Sequence, residues 1–329
     1  MIKTGPRNLI TDVAGLRVGQ AEDTEVWSGV SVVICDAPCR AAVDVRGGAP
    51  GTHETDMLDP ANLVGAVDAV VLSGGSAYGL AATAGVMGYL GERGRGFRVS
   101  PQSVPVPIVP GAILFDLDNG GDKTGRQPFD YAALGRQAAA VAGLDFTLGT
   151  AGAGYGAIAG IYKGGLGSAS VVSDEGYTVG ALVAVNAVGS PVMPGSNAFW
   201  AWPWEMAGEF GARRPGPDWQ PGGDIPSDMK HARAGANTTI AVLATDADLT
   251  RIELKRLAIM AADGFARALR PAHSPFDGDA IFSLATAARP VAEPDARGRS
   301  ALLLRLGTLA GDCMARAIAR GVYAASSLG

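Results

Sequence analysis

The sequence is poor in the residue types that several functions require. Of its 329 residues only 18% are charged, three are cysteine and three are histidine. With a net charge of −5 and no basic stripe, a nucleic-acid partner is not expected, because such proteins neutralise phosphates with clustered lysine and arginine. The apolar runs are interrupted well short of a membrane span, so no membrane partner is expected either.

The scarcity of cysteine and histidine also limits the chemistry. Cys35, Cys39 and Cys313 are an odd number in a long chain, which indicates buried thiols in a reducing compartment and not a disulfide framework. Residues 1–16 contain no apolar segment typical of a secretory signal, and we therefore expect a cytoplasmic protein. The histidines lack the spacing of a zinc site, and we expect neither a metal nor a cofactor.

What the chain has in excess is glycine and apolar residues. Hydrophobic residues make up 47% of the chain and 47 residues are glycine, which suits a large, tightly packed core. Runs typical of strands and of helices are mixed, and some strands are predicted to pair as hairpins. This pattern favours a layered α/β sandwich over a doubly wound parallel sheet.

The coarse element pattern follows from apolar periodicity. Helices are predicted over residues 77–90, 130–142 and 300–323, and one more begins at a capping box formed by Thr250 and Glu253 and ends before Pro271. Strands are predicted over residues 29–35, 41–46, 68–72, 108–115, 168–172, 179–186, 238–246 and 280–284.

Two glycine-rich segments resemble known motifs without matching them. Residues 149–154 have glycines near the dinucleotide-binding spacing, but no confident strand–turn–helix surrounds them and no acidic residue follows at the required distance. Residues 74–79 resemble a nucleophile elbow, but Tyr78 stands where that motif needs a glycine. The second segment could be a structural turn or part of a site, because a strand-to-helix turn exposes amides that suit an anion.

The most informative segment is the strand-like run that begins at Thr238. It follows Asn237 and a region, residues 200–236, that holds four of the five tryptophans and shows little periodicity. If the Asn237–Thr238 bond breaks, Thr238 becomes an N-terminus that contains both a nucleophilic hydroxyl and an α-amine base. The alternative is an ordinary strand start, since β-branched residues favour strands.

Asp277 and Asp279 flank a glycine immediately before another apolar strand. Aspartate and glycine favour turns, so a solvated turn is the simpler interpretation. The functional interpretation is that both carboxylates face a cationic group such as a free α-ammonium. The residues alone leave both interpretations open.

Several segments taken together resemble one family. In order and spacing the chain resembles the L-aminopeptidase/D-esterase (DmpA) family of self-processing hydrolases, near its nylon-oligomer hydrolase branch. The segments that carry the resemblance are residues 42–48, 72–80, 106–116, 164–168, 237–246 and 277–279.

The resemblance implies a single domain over residues 1–329 that cuts itself between Asn237 and Thr238, giving chains 1–237 and 238–329. It implies that Thr238 is the nucleophile, that an asparagine stabilises the oxyanion and that an acidic pair handles the amine. The implied site residues are Thr238, Asn186, Asp277, Asp279, Lys163 and Tyr78. A glutamate that some relatives use to hold the substrate amine has no clear counterpart in residues 109–116.

The resemblance also implies a four-layer α/β/β/α sandwich and a homo-oligomer, a tetramer of cleaved protomers. The expected function is hydrolysis of amide bonds, as an aminopeptidase acting on short peptides or amino-acid amides. Three alternatives stay open: an amidase acting on ω-amino-acid oligomers, an acyltransferase of the ornithine-acetyltransferase type, and an unprocessed homologue that only binds a small molecule.

Overall fold

The computed structural model describes residues 2–123, 129–220, 228–230, 237–292 and 295–325. The strands in these residues are β1 Leu16–Asp23, β2 Ser28–Val45, β3 Thr52–His53, β4 Ala66–Ser73, β5 Gly111–Ile113, β6 Ile158–Ala159, β7 Tyr162–Lys163, β8 Gly165–Val172, β9 Thr178–Asn186, β10 Thr238–Ala247 and β11 Ala280–Arg289. The α-helices are α1 Ala81–Gly91, α2 Tyr131–Ala140, α3 Arg251–Ala261, α4 Asp263–Ala268 and α5 Ala296–Ala325.

Nine of these strands form one hydrogen-bonded sheet. Their order is β3-β5-β4-β2-β11-β10-β9-β8, and β1 pairs with β2 beside this path. The pairs β10/β11 and β4/β5 are parallel, and the other pairs in the sheet are antiparallel. The remaining two strands, β6 and β7, form a short hairpin.

Strand β2 joins the two halves of the sheet. Its register against β4 shifts between Ile34 and Cys39, and residues 36–38 in between are exposed. A bulge bends a strand and increases its twist. The two strands predicted over 29–35 and 41–46 are therefore one bent strand, which pairs with β1 and β4 early and with β11 late.

The bend divides the molecule into four layers. A central cluster, which includes Val18, Leu72, Leu182, Val242 and Phe282, lies between the two halves of the sheet. A second cluster packs α1 and α2 on the outer face of β1, β2 and β4. A third packs α3, α4 and α5 on the outer face of β8–β11. The predicted α/β/β/α sandwich is confirmed.

Most predicted elements occur within a few residues of their expected positions. The capping box at Thr250 and Glu253 is present at the start of α3. The helix predicted from residue 77 begins with a 3-10 turn, Ser76–Leu80, after Gly75 adopts a left-handed φ of 84°. The strand predicted over 108–115 is confined to Gly111–Ile113. Pro110 directly precedes it, and a proline has no amide N–H to donate to a ladder.

Helix α5 lies very close to β8, and two glycines permit this approach. A Cβ atom on Gly167 would lie 1.9 Å from the carbonyl oxygen of Ala317 and 2.8 Å from the Cα of Gly321. Backbone atoms of a packed helix cannot move away cheaply. The expected buried thiols are also confirmed, since the three cysteines are free and buried. None of the described helices combines the length and the apolar composition needed to cross a membrane.

The close contact between β8 and α5 predicts a large effect of one methyl group. Gly167→Ala should lower the free energy of unfolding by about 1–3 kcal/mol, because the added Cβ overpacks the interface. Urea denaturation measures the change. Gly216→Ala is the matched control, because a Cβ there meets nothing within 4 Å, and an equal effect of the two substitutions would contradict the prediction.

Candidate functional site

The peptide bond between Asn237 and Thr238, where the sequence predicts cleavage, lies at the start of β10. Strand β10 pairs with β9 on one side and β11 on the other. Thr238 is opposite Asn186 of β9, and Asn237 forms a parallel bridge with Asp277 just before β11. Both residues of the bond are buried. The preceding loop residues 231–236, including Gly235, lie outside the described residues. Strand pairing on two sides therefore fixes the backbone at this bond.

The carbonyl group of Asn237 receives two hydrogen-bond donors. The hydroxyl of Thr238 donates to its oxygen, and the backbone amide of Gly278 donates to the same oxygen over 3.0 Å. A Cβ on Gly278 would lie 2.6 Å from Thr238 Oγ1, so the close approach depends on the absence of a side chain. Two donors on one carbonyl oxygen polarise the group and stabilise negative charge that develops on it.

The turn that contains Asp277 and Asp279 is held by the segment after β2. The backbone amides of Arg46 and Gly47 donate to the carbonyl oxygen of Asp279 over 2.9 and 3.2 Å, and that of Ala49 donates to the carbonyl oxygen of Asp277 over 2.9 Å. A Cβ on Gly47 would lie 2.2 Å from the Asp277 carbonyl oxygen. The turn is thus buried and rigid, and the interpretation of a solvated turn is wrong for its structure.

The two carboxylates have different partners. Asp279 accepts hydrogen bonds from the amide of Thr239 over 2.7 Å and from Nδ1 of His273 over 2.8 Å. Asp277 accepts from the hydroxyl of Ser274 over 2.5 Å and from the amide of Val188 over 3.2 Å. Burial, and then the charge of Asp279, raise the pKa of Asp277. Two buried carboxyl groups at the start of β10 and β11 form an environment that favours a cation.

Asn186 is fully buried and lies at the centre of a second set of polar groups. Its Oδ1 accepts from Nδ2 of Asn119 over 3.0 Å, from the amide of Ile158 over 3.0 Å and from Nζ of Lys230 over 3.2 Å. Its Nδ2 donates to the carbonyl oxygen of Phe115 over 2.9 Å. The side-chain amide next to Thr238 therefore has one fixed orientation.

Two lysines belong to this region. Lys230 contacts Asn186 directly, whereas Lys163, on β7, pairs with Ile158 and donates to the carbonyl oxygens of Tyr155 and Ala157 over 2.5 and 3.2 Å. Burial lowers the pKa of Lys163 to about 8 and that of Lys230 also to about 8. Both ammonium groups are therefore poised to change charge just above neutral pH.

Tyr78 occupies a more exposed position than the other residues inferred from the resemblance. It lies in the 3-10 turn after Gly75, its side chain is 47% exposed, and its ring packs edge-on against Phe129 at a centroid distance of 6.5 Å. Nearby, the buried Asp116 accepts from the amide of Gly75 and the hydroxyl of Ser28 over 2.8 and 2.7 Å. Burial raises the pKa of Asp116.

The sequence did not reveal several polar residues of this region. His273, Asn119 and Lys230 stand in no recognisable motif, and Asp116 ends a segment of the resemblance without being singled out; tertiary contacts bring these side chains to the site. The one available signal was their position in the chain: Lys230 lies a few residues before the Asn237–Thr238 bond, and His273 lies a few residues before Asp277. Among the residues that the structure describes, no group of three or more His, Cys, Asp and Glu side chains could hold a metal ion.

The pair of His273 and Asp279 predicts a pH-dependent contribution to stability. Burial lowers the pKa of His273, but the hydrogen bond and charge of Asp279 outweigh it and the pKa is raised overall. A raised folded-state pKa stabilises the protein below the unfolded value of about 6.5, and this stabilisation disappears as the pH rises through the folded value.

The free energy of unfolding of the wild type should therefore exceed that of His273→Gln most at about pH 6, and the difference should shrink toward pH 8.5. Urea denaturation across this range measures it. In an Asp279→Asn background the pH trend should reverse, because burial then lowers the pKa of His273 without the opposing carboxylate, and the difference should grow as the pH rises. A difference between wild type and His273→Gln that stays constant with pH would contradict the assigned ion pair.

Comparisons with known proteins agree with this architecture. The model of the family described as peptidase family S58 matches residues 8–329. A Mycobacterium tuberculosis protein named an uncharacterized aminopeptidase is 46% identical over 331 residues, covering 96% of this chain and 93% of its own length. A Kocuria sp. protein named 6-aminohexanoate-oligomer endohydrolase is 30% identical over 332 residues, covering 94% and 85% respectively.

Solved structures share the fold at lower identity. The L-aminopeptidase D-Ala-esterase/amidase of Ochrobactrum anthropi, described as a variant of the Ntn hydrolase fold, has a TM-score of 0.70 and 23% identity, covering 98% of this chain and 88% of its own. A β-aminopeptidase of Burkholderia sp. has a TM-score of 0.67 and 23% identity with the same coverage. The family match over nearly the whole chain confirms the resemblance seen in the sequence: the chain belongs to peptidase family S58 and is a hydrolase.

Proposed function

We propose that the protein is a self-cleaving amide hydrolase with Thr238 as its nucleophile. The observation that carries the proposal is the carbonyl group of Asn237, which receives hydrogen bonds from the Thr238 hydroxyl and from the amide of Gly278. The hydroxyl that would attack and a donor that would stabilise the resulting oxyanion thus lie at one peptide bond, beside Asp277 and Asp279.

In the self-cleavage step the Thr238 oxygen attacks the carbonyl carbon of Asn237. The C–N bond breaks as the nitrogen of Thr238 takes a proton, and an ester between Asn237 and the Thr238 side chain remains. Water then hydrolyses this ester and releases chains 1–237 and 238–329. The pairing of β10 with β9 and β11 holds the bond in place throughout this step.

Cleavage frees the α-amine of Thr238 between two buried carboxylates. An N-terminal amine has an ordinary pKa of about 7.7–8.0, which suits a general base near neutral pH. Asp279 contacts the amide of Thr239, the next residue, and Asp277 forms a backbone bridge with Asn237. These contacts support a role for both carboxylates in orienting the new amine.

In turnover the amine takes the proton of the Thr238 hydroxyl, whose oxygen attacks the substrate carbonyl. Asn186 and the amide of Gly278 stabilise the oxyanion, a role worth about 3–4 kcal/mol per donor in other hydrolases. The amine then protonates the leaving group, and water hydrolyses the acyl-enzyme. In this proposal Lys163, which pairs with Ile158, adds positive charge to the region of Asn186, and the exposed ring of Tyr78 is available to a substrate.

The proposed substrates are short peptides or amino-acid amides, from which the enzyme releases the N-terminal residue. Relatives named aminopeptidases at 44–46% identity favour this class. An amidase acting on ω-amino-acid oligomers is the second candidate, favoured by the relatives named 6-aminohexanoate-oligomer endohydrolases at 30% identity. We also propose that it works without a cofactor, in the cytoplasm, as a tetramer of cleaved protomers.

The proposed cleavage predicts two polypeptides in the purified protein. Denaturing mass spectrometry should find fragments that meet between Asn237 and Thr238. Thr238→Ala should leave one whole chain without hydrolytic activity, because the nucleophile is lost, whereas Thr238→Ser keeps a hydroxyl and should still cleave. An uncut wild-type chain that hydrolyses amides would contradict the mechanism.

The substrate proposal predicts a preference between two kinds of amide. Cleaved protein should hydrolyse aminoacyl p-nitroanilides and dipeptides at least about tenfold more efficiently, in kcat/KM, than 6-aminohexanoate oligomers, a difference of about 1.4 kcal/mol in transition-state binding. The reverse order would favour the second candidate. A rise in product on adding amine acceptors would indicate acyl transfer, and a whole, inactive chain would indicate a binding protein.

A further inference from the structure

We propose that Lys230 is a positioning residue for the reaction at Thr238, where it holds and polarises the side-chain amide of Asn186. The inference rests on the proposed function, in which that amide stabilises the oxyanion. Lys230 precedes Asn237 by seven residues and belongs to no recognised motif. The evidence is the set of contacts that surround its ammonium group.

The orientation of the Asn186 amide follows from its donors. The backbone N–H of Ile158 can only donate, so the side-chain atom that faces it must be Oδ1. Lys230 is the cationic donor to that oxygen, over 3.2 Å. A hydrogen bond from a charged donor is about twice as strong as a neutral one, and it withdraws electrons from the amide, which strengthens the amide N–H groups as donors.

The backbone around Lys230 is attached to the site independently of this ammonium. The amide of Lys230 donates to the carbonyl oxygen of Val188 over 3.0 Å, and the carbonyl oxygen of Asp228 accepts from Ile161 over 3.0 Å. The buried carboxylate of Asp228 accepts from the hydroxyl of Ser190 over 2.6 Å. Removing the ammonium therefore leaves the segment 228–230 in place, and the effect of a substitution reports on the amide of Asn186.

The charge of Lys230 is set by opposing influences. Burial lowers its pKa to about 8, and the carboxylates of Asp116, Asp118 and Asp277 act against that change. The ammonium is mostly charged at neutral pH and loses its proton as the pH rises through about 8. The carboxylates of Asp116 and Asp118 also act on the pKa of Lys123, but the ammonium of Lys123 donates to the carbonyl oxygen of Gly120. Lys123 is therefore a matched control.

The test compares Lys230→Met, Lys230→Arg and Lys123→Met as cleaved proteins, with an aminoacyl p-nitroanilide as substrate. Lys230→Met should lower kcat about tenfold and change KM by less than about twofold, because the amide acts mainly in the transition state. Lys230→Arg should keep most of kcat and extend activity above about pH 8.5, since arginine stays charged. Lys123→Met should resemble the wild type.

A second readout does not depend on activity. The side-chain ¹⁵N–¹H signal of Asn186, assigned by its loss in Asn186→Ala, should shift between pH 7 and 9.5 in wild type and not in Lys230→Met. The inference would be overturned if Lys230→Met kept the wild-type kcat, or if Lys123→Met lost as much kcat as Lys230→Met. It would also be overturned if the Asn186 signal changed neither with pH nor in Lys230→Met. An uncut, inactive wild type with the expected shift would instead refute the proposed function alone. If Lys230→Met does not fold, an unchanged pH profile in Lys230→Arg overturns the inference.

Discussion

The placement of one peptide bond between two strands is the constraint on which the rest of the site depends. Asn237 and Thr238 enter β10 with Asn186 on one side and the Asp277–Asp279 turn on the other. Strand pairing repeats at fixed spacing, so it positions the carbonyl of Asn237 against the amide of Gly278 without any flexible side chain. A glycine at 278 is required because a Cβ there would strike the Thr238 hydroxyl.

The bent strand β2 explains how a single sheet can supply two packed layers and still support this site. Its first half carries β1 and β4, and its second half pairs with β11. The residues that follow it, Arg46 and Gly47, then donate to the carbonyl oxygen of Asp279. The same strand that connects the two β layers thus ends by fixing the acidic turn beside Thr238, which couples the central core to the geometry of the carboxylates.

Electrostatics divides the site into two sides. Asp277 and Asp279 form an acidic side, where burial and then the charge of Asp279 raise the pKa of Asp277. Lys230, which contacts Asn186, and Lys163, which pairs with Ile158, form a cationic side, where burial lowers the pKa of each lysine to about 8. A nucleophile that carries its own amine needs negative groups near the amine and positive ones near the developing oxyanion. The observed separation of charge fits both needs.

The sequence by itself determined the layered α/β class, the strand at Thr238, the capping box at Thr250 and the family, because these depend on local periodicity and on short motifs in a fixed order. It left open whether Asp277 and Asp279 form a solvated turn, and it did not reveal Lys230, His273 or Asn119. Only the tertiary structure decided that the turn is buried and that these side chains converge on the site. Such contacts join residues far apart in the chain, and no local pattern records which strand edges the fold brings together.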